Sequence, residues 1–236
     1  IEPEDFFTDF LDGYHSNSGS NFSKNWYIEF EKSEENHLHY LSLSKWSDLK
    51  AHYLIQKQLN GKKVNLQMGN STSVRYVQLF QQQKGLKYNS NRGVSGIDGS
   101  SSTAVGAACV TDELTVLITG DLSFIYDQNA FWNKEVPQNL KIIVVNNQGG
   151  GIFNIISGPN TTPYNKEFFE TRHEISLEKI ATTFKINYQK ATNEIQAAKC
   201  LNNVFNSKDA EIIELFTGNI ENENVLNDYF RNIKKD

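Results

Sequence analysis

Three short apolar runs limit what this chain can fold into: LTVLIT (114–119), LKIIVV (140–145) and AEIIELF (210–216). A strand with one wet face alternates polar and apolar side chains. A run that is apolar at both parities fits a strand buried on both faces, hence a parallel sheet covered by helices above and below. Helical spacing recurs around these runs. Ala51, Leu54, Ile55 and Leu59 mark one helix, which Asn60-Gly61 ends, and the patterns over 124–132, 177–184, 195–205 and 225–233 mark others. VNLQM (64–68) alternates like a strand, and a shorter strand is expected near 86–88. Ser71 is placed to cap a helix carrying Val74, Val77 and Phe80, and STAVGAACV (102–110) is a small-residue helix able to pack close to a sheet. The prediction is an α/β fold: a doubly wound three-layer sandwich around a central, mainly parallel sheet, occupying residues 44–236. Residues 1–43 are Ser/Asn-rich and then charged, and read as the tail of a preceding middle domain or a linker over a surface.

Composition closes off other classes. With 38% hydrophobic and 12% aromatic residues the chain has material for a core. A net charge of -5 argues against a general nucleic-acid partner. No apolar run approaches the ~18 residues of a bilayer span, and the opening IEPEDFFTDF is not a signal peptide. Cys109 and Cys200 have no metal-type spacing and read as buried structural thiols in a reducing cytosol, so a cytoplasmic location is expected. The five His form no metal-type cluster, and His37-x-His39 reads as a solvated face. The 168–176 segment reads as a surface loop, with a mobile lid as the alternative.

Ligands bind doubly wound sheets at the carboxyl ends of the strands. Two such ends stand out: Gly120-Asp121-Leu122-Ser123 and Asn146-Asn147-Gln148-Gly149-Gly150-Gly151. Either alone is an ordinary turn. Asp121 and Asn147 lie 26 positions apart, room for one helix and a return strand, so both side chains emerge from neighbouring strands. A carboxylate, a carboxamide oxygen and the Gly149 carbonyl make a hard oxygen half-shell suited to Mg²⁺. Backbone N–H groups at the following helix start, with the Ser123 hydroxyl as a further donor, suit a diphosphate bridged to that ion.

These elements resemble the thiamine-diphosphate fingerprint of the decarboxylase and acetolactate synthase superfamily. The family's usual Gly-Asp-Gly is here Gly120-Asp121-Leu122. That departure, with GNSTSVR (69–75), NSNRGVSGIDGSSSTAVGAA (89–108) and NNQGGGIF (146–153), resembles one branch, the 2-succinyl-5-enolpyruvyl-6-hydroxy-3-cyclohexene-1-carboxylate synthases of menaquinone biosynthesis. The resemblance covers roughly residues 44–235 and implies the C-terminal, cofactor-binding part of a longer enzyme. It implies thiamine diphosphate with Mg²⁺ (or Mn²⁺) as cofactors. Asp121, Asn147 and Gly149 would be metal ligands. Gly120, Leu122 and Ser123 would lie along the diphosphate, and Ile97 would be an apolar wedge under the bent cofactor. Asn70, Ser71, Arg75 and Arg92 would face the substrates, 2-oxoglutarate and isochorismate, with Ile152 and Phe153 walling the pocket. From the residues alone, Arg75 also fits a surface salt bridge, and Ile152 and Phe153 also fit a core.

The implied reaction decarboxylates 2-oxoglutarate and adds the resulting succinyl carbanion equivalent to isochorismate. No catalytic residue is expected in this chain. The activating Glu belongs to an N-terminal domain of the partner subunit, in a homodimer or homotetramer of the full-length enzyme, so this polypeptide alone is expected not to turn over. Two other readings stay open: a different 2-oxoacid decarboxylase or acetolactate-type enzyme, and a non-catalytic cofactor-binding module.

Overall fold

The computed structural model describes residues 21–133, 136–156, 158–218 and 221–233. These fall into two compact units, 21–42 with 229–233, and 43–228.

The first unit is built on helix α1 (Asn21–Leu43). The stretch read as the tail of a preceding middle domain or a linker is helical from residue 21, and residues 1–20 lie outside the described part. Its Glu, Lys and Leu content and lack of Pro favour a helix despite the charge. His37 and Leu41 share a face at i, i+4 and are buried. His37 Nδ1 lies 2.7 Å from the Tyr229 hydroxyl, and burial lowers its pKa. The solvated reading of this His is corrected, while His39, two positions on, is exposed.

The second unit carries helix α2 (Asp48–Leu59), β1 (Val64–Met68), α3 (Thr72–Val77), β2 (Leu86–Ser90), α4 (Ser100–Cys109), β3 (Thr115–Gly120) and α5 (Asp121–Tyr126). β4 (Leu140–Asn146), α6 (Leu177–Thr183), β5 (Asn187–Ala191), α7 (Glu194–Asn206) and β6 (Glu211–Phe216) follow, and helix α8 (Asn222–Asn232) comes last, with its residues 222–228 in this unit and the remainder in the first. The six strands pair in parallel in the order β2-β1-β3-β4-β6-β5.

The apolar runs divide between two cores by residue parity. Val116, Ile118, Ile143, Val145, Ile213 and Leu215 pack with Ile55 and Leu59 of α2 and Leu201 of α7. Leu117, Ile142, Val144 and Ile212 pack with Ala104 of α4, Phe124 of α5 and Ile180 of α6. A two-residue period sends successive side chains to opposite faces, and each buried Ile or Leu contributes about 1.5–3 kcal/mol. The expected three-layer α/β sandwich is what the chain forms.

Local differences have local causes. The single helix expected over 124–132 is α5 followed by a 3₁₀ turn, Gln128–Phe131. The break falls at Asp127, whose carboxylate accepts from the Ser102 N–H (2.7 Å) and hydroxyl (2.6 Å). β5 was not expected, because NYQKA is a polar edge strand without an apolar run. Cys200 is buried, but Cys109 ends α4 facing solvent, so only one thiol is a core residue.

Candidate functional site

The chain winds from β1 outward to β2 on one side and returns to β3 on the other, so the carboxyl ends of β1 and β3 flank a topological switch point. Gly120 pairs with Val145, which brings Asp121 and Asn146-Asn147 out of neighbouring strands at one edge.

After β1, a Cβ on Gly69 would stand 2.7 Å from Thr119 Oγ1, so the turn needs glycine to lie against β3. Asn70 is buried. Its Nδ2 donates to the carbonyls of Asn91 (2.8 Å) and Gly96 (2.6 Å), and its Oδ1 accepts from Arg92 (3.1 Å). Ser71 sits at the N-cap of α3 with φ 69° and makes no side-chain cap bond, contrary to the expected capping role. A strained backbone at a non-glycine residue is held by its surroundings and clusters at functional sites. Arg75 is exposed and donates to the Ser71 carbonyl (2.7 Å). Both guanidinium groups thus end on the 69–71 turn.

Asp121 is buried and crowded with donors. Oδ1 accepts from the Leu122 N–H (2.8 Å). Oδ2 accepts from the Gly149 N–H (2.9 Å) and from His173 Nε2 (3.0 Å). The Ile175 N–H donates to His173 Nδ1 (3.2 Å), which leaves the proton of the neutral ring on Nε2, facing the carboxylate. The hydrogen bond to Asp121 raises the His173 pKa, against the opposing effect of burial. Of the four lone-pair directions of a carboxylate, three are taken among the described residues, leaving one on Oδ1.

Asn147 is buried with its amide polarised. Nδ2 donates to Asp48 Oδ2 (2.8 Å), while Oδ1 is buried with no donor among the described residues. Asp48 is fully buried. Burial pushes its pKa up to about 6, against hydrogen bonds from Thr217 and Asn147 that lower it. Gly149 has φ 152°, and a Cβ there would stand 2.4 Å from the Glu170 carbonyl. The carbonyl of Gly149 accepts from the Gly151 N–H (3.1 Å) and keeps one lone pair.

The remaining expected site residues surround this edge. Ser123 is buried, and its hydroxyl donates to the Ile97 carbonyl (2.5 Å). Its proton is therefore engaged, which corrects its expected part as a free donor: it ties the half-buried Ile97 to α5. Leu122 is half-buried. Gly120 has open space where a Cβ would go. Ile152 is buried, and the half-buried Phe153 packs against Phe169 with ring centroids 5.5 Å apart.

Three residues here escaped sequence reasoning. His173 and Glu170 lie in the segment read as a surface loop, but Glu170 is buried and its carbonyl accepts from the Gly150 N–H (2.5 Å). Burial works to raise the Glu170 carboxyl, yet the hydrogen bonds from Arg172 and Asn154 outweigh it and lower its pKa. The sequence around His173, FFETRHEIS, carries no local signal, because its partner Asp121 lies 52 positions earlier in the chain. Asp48 had none, since an acidic first residue after Ser47 reads as an ordinary helix start. His173 also lines a pocket of about 260 Å³ with Asn146, Gln148, Tyr188, Lys190 and Glu214. Among the described residues no group of three His, Cys, Asp or Glu gathers as a metal cluster. An oxygen set from one Asp, one Asn and one carbonyl is of a different kind.

A doubly wound parallel sheet that collects buried polar groups at its carboxyl edge is the architecture of a cofactor-binding α/β domain. The chain belongs to the family of the thiamine pyrophosphate enzyme C-terminal TPP binding domain, which residues 67–215 match. It is 41% identical over 204 residues to the 2-succinyl-5-enolpyruvyl-6-hydroxy-3-cyclohexene-1-carboxylate synthase of Christiangramia forsetii, covering 86% of this chain and 35% of that protein. The synthase of the same name from Flavobacterium psychrophilum is 38% identical over 233 residues, covering 99% of this chain and 42% of that protein. The chain thus spans about two fifths of the length of these relatives. In fold it resembles the benzoylformate decarboxylase of Polynucleobacter necessarius, with a TM-score of 0.61 at 12% identity over 73% of this chain and 33% of that one.

Proposed function

We propose that the carboxyl edge of β1, β3 and β4 holds thiamine diphosphate through Mg²⁺ (or Mn²⁺). The whole protein would be a 2-succinyl-5-enolpyruvyl-6-hydroxy-3-cyclohexene-1-carboxylate synthase, which decarboxylates 2-oxoglutarate and adds the succinyl unit to isochorismate. The observation that carries this reading is the buried Asn147 Oδ1, which has no donor among the described residues at the strand end beside Asp121. An orphaned buried acceptor costs about 1–3 kcal/mol, and a cation relieves it. The remaining lone pairs on Asp121 Oδ1 and the Gly149 carbonyl complete a hard oxygen set. The residues present fit the group.

When bound, thiamine diphosphate supplies the electron sink that allows a 2-oxo acid to lose carbon dioxide. The chain's own residues bind and orient. Asp121, Asn147 and Gly149 hold the ion. Gly120, Leu122 and Ser123 would line the diphosphate, and the Ser123 hydroxyl holds the Ile97 loop, whose Ile97 would be the apolar wedge for the cofactor. Arg75 and Arg92 offer guanidinium forks to the substrate carboxylates from the 69–71 turn, where Asn70 and Ser71 set their positions. Ile152 and Phe153 exclude water from the reacting side. The proton-handling Glu comes, in this reading, from a preceding domain of a partner subunit in a homodimer or homotetramer located in the cytoplasm. Among the described residues no helix is long and apolar enough to cross a membrane.

Calorimetry with thiamine diphosphate and Mg²⁺ tests the site on this chain, Asp121→Ala and Asn147→Ala. Binding heat is expected for the parent and its loss in both variants. Equal heats for Asp121→Ala would remove Asp121 from the metal site.

A further inference from the structure

A primary carboxamide has a donor end and an acceptor end of nearly the same shape, so the backbone alone does not decide which end of Asn147 faces the site. Asp48 decides it. Asp48 Oδ2 accepts from Asn147 Nδ2 at 2.8 Å, and both residues are buried. Turning the amide over would set Asn147 Oδ1 against a carboxylate oxygen and leave an N–H donor where the orphaned oxygen stands. Asp48 is itself held in place: its Oδ1 accepts from the Thr217 hydroxyl at 2.6 Å, and its backbone N–H donates to Asn222 Oδ1 at 2.7 Å. Residues following β6 therefore fix Asp48 at the start of α2, and its second carboxylate oxygen reads the orientation of an amide just past the end of β4.

We infer that Asp48 is a positioning residue for the cation site, locking the Asn147 carboxamide with its oxygen toward the metal. This rests on the metal-site reading above. Partners that orient a metal ligand typically change affinity about 10–100-fold when removed. In Asp48→Asn the new amide can donate to Asn147 Oδ1 and draw the oxygen away from the site. In the double variant Asp48→Asn/Asn147→Asp the polarity of the pair is reversed, the total charge is kept, and an oxygen again faces the site.

Mn²⁺ binding in the presence of thiamine diphosphate, followed by the electron paramagnetic resonance of free Mn²⁺, is measured on this chain, Asp48→Asn, Asn147→Ala and the double variant. Far-ultraviolet circular dichroism on each confirms folding. The expected result is at least about tenfold weaker Mn²⁺ binding in Asp48→Asn and recovery in the double variant. Parent-like binding by Asp48→Asn alongside a loss in Asn147→Ala overturns the inference and leaves the metal site standing. A loss in Asp48→Asn that the double variant does not restore also overturns it, since Asp48 would then act through the fold. Parent-like behaviour of Asn147→Ala, or no binding by the parent, overturns the metal site and the inference together. Should Asp48→Asn fail to fold, Thr217→Val replaces it. Loosening the brace on Asp48 is expected to weaken Mn²⁺ binding in the same direction, and unchanged binding counts against the inference.

Discussion

His173 Nε2 donates to Asp121 Oδ2 at 3.0 Å, joining a loop residue to a strand end 52 positions earlier in the chain. With the Ile175 N–H on the other ring nitrogen, the imidazole is fixed at both ends, and the 170–176 segment is held against the site.

His173→Ala removes this tie. A hydrogen bond to a charged group contributes about 1.5–3 kcal/mol, so urea unfolding should show a loss of that order, with faster amide exchange confined to residues 170–176. His173→Gln, which keeps a donor, should recover part of it. Unchanged exchange in His173→Ala would show that the loop is held by other contacts.

Two buried groups next to each other on α2 should give opposing pH dependences. Burial pushes His52 down to about 4, while it pushes Asp48 up to about 6. The His52 contribution is present above the unfolded pKa of about 6.5 and is lost as pH falls to 4. The Asp48 contribution is gained as pH falls from 6 to 3.8 and is lost as pH rises. At about 1.4 kcal/mol per pH unit each amounts to about 3 kcal/mol, and the two nearly cancel. His52→Phe should therefore gain stability, relative to its value at pH 7, as pH falls toward 4, while Asp48→Asn should lose it. Urea titrations of the two variants should diverge by roughly 5 kcal/mol over that range. Parallel profiles would refute the assignment.

Two glycines of the site should separate cleanly. Gly149→Ala places a Cβ 2.4 Å from the Glu170 carbonyl at a φ of 152°, and should cost about 2–4 kcal/mol in stability. Gly120→Ala meets open space, so its stability should stay within about 0.5 kcal/mol of the parent. If Gly120 is needed for close approach of a diphosphate, calorimetry on that stable variant should show the binding heat reduced. A fully retained heat would free Gly120 of that role.

Asn70→Ala removes two donor bonds to the 91–96 backbone and the acceptor of Arg92. A loss of about 2–3 kcal/mol is expected from the hydrogen bonds, with increased protease sensitivity in the loop before α4. An unchanged cleavage pattern would mean that the loop is fixed without Asn70.

The strands and most helices were legible because their signals are local. LTVLIT and LKIIVV are apolar at both parities, and both are central strands whose side chains split between two cores. Less local features were misread. The face of α1 that buries His37 is set by Tyr229, at a separation of 192 residues. The polar β5 is a strand only because β6 offers it an edge. Ser71 was expected to cap α3 and does not, and Ser123 was expected to be a free donor but is bound to the Ile97 carbonyl. That the carboxyl ends of β3 and β4 lie side by side, where the Gly149 N–H meets Asp121, was legible because neighbouring strands of a doubly wound sheet end at one edge.

By itself the sequence determined the three-layer sheet and the edge where its polar tips gather, since hydrophobic periodicity and glycine-marked strand ends act within a few residues. Only the tertiary structure decided which atoms meet there: Asp48 on the amide of Asn147 across 99 positions, His173 on Asp121 across 52, and an oxygen of Asn147 with no donor among the described residues. A buried polar atom takes whichever partner the strand order and loop closure carry to within hydrogen-bonding distance, and no local propensity encodes that choice.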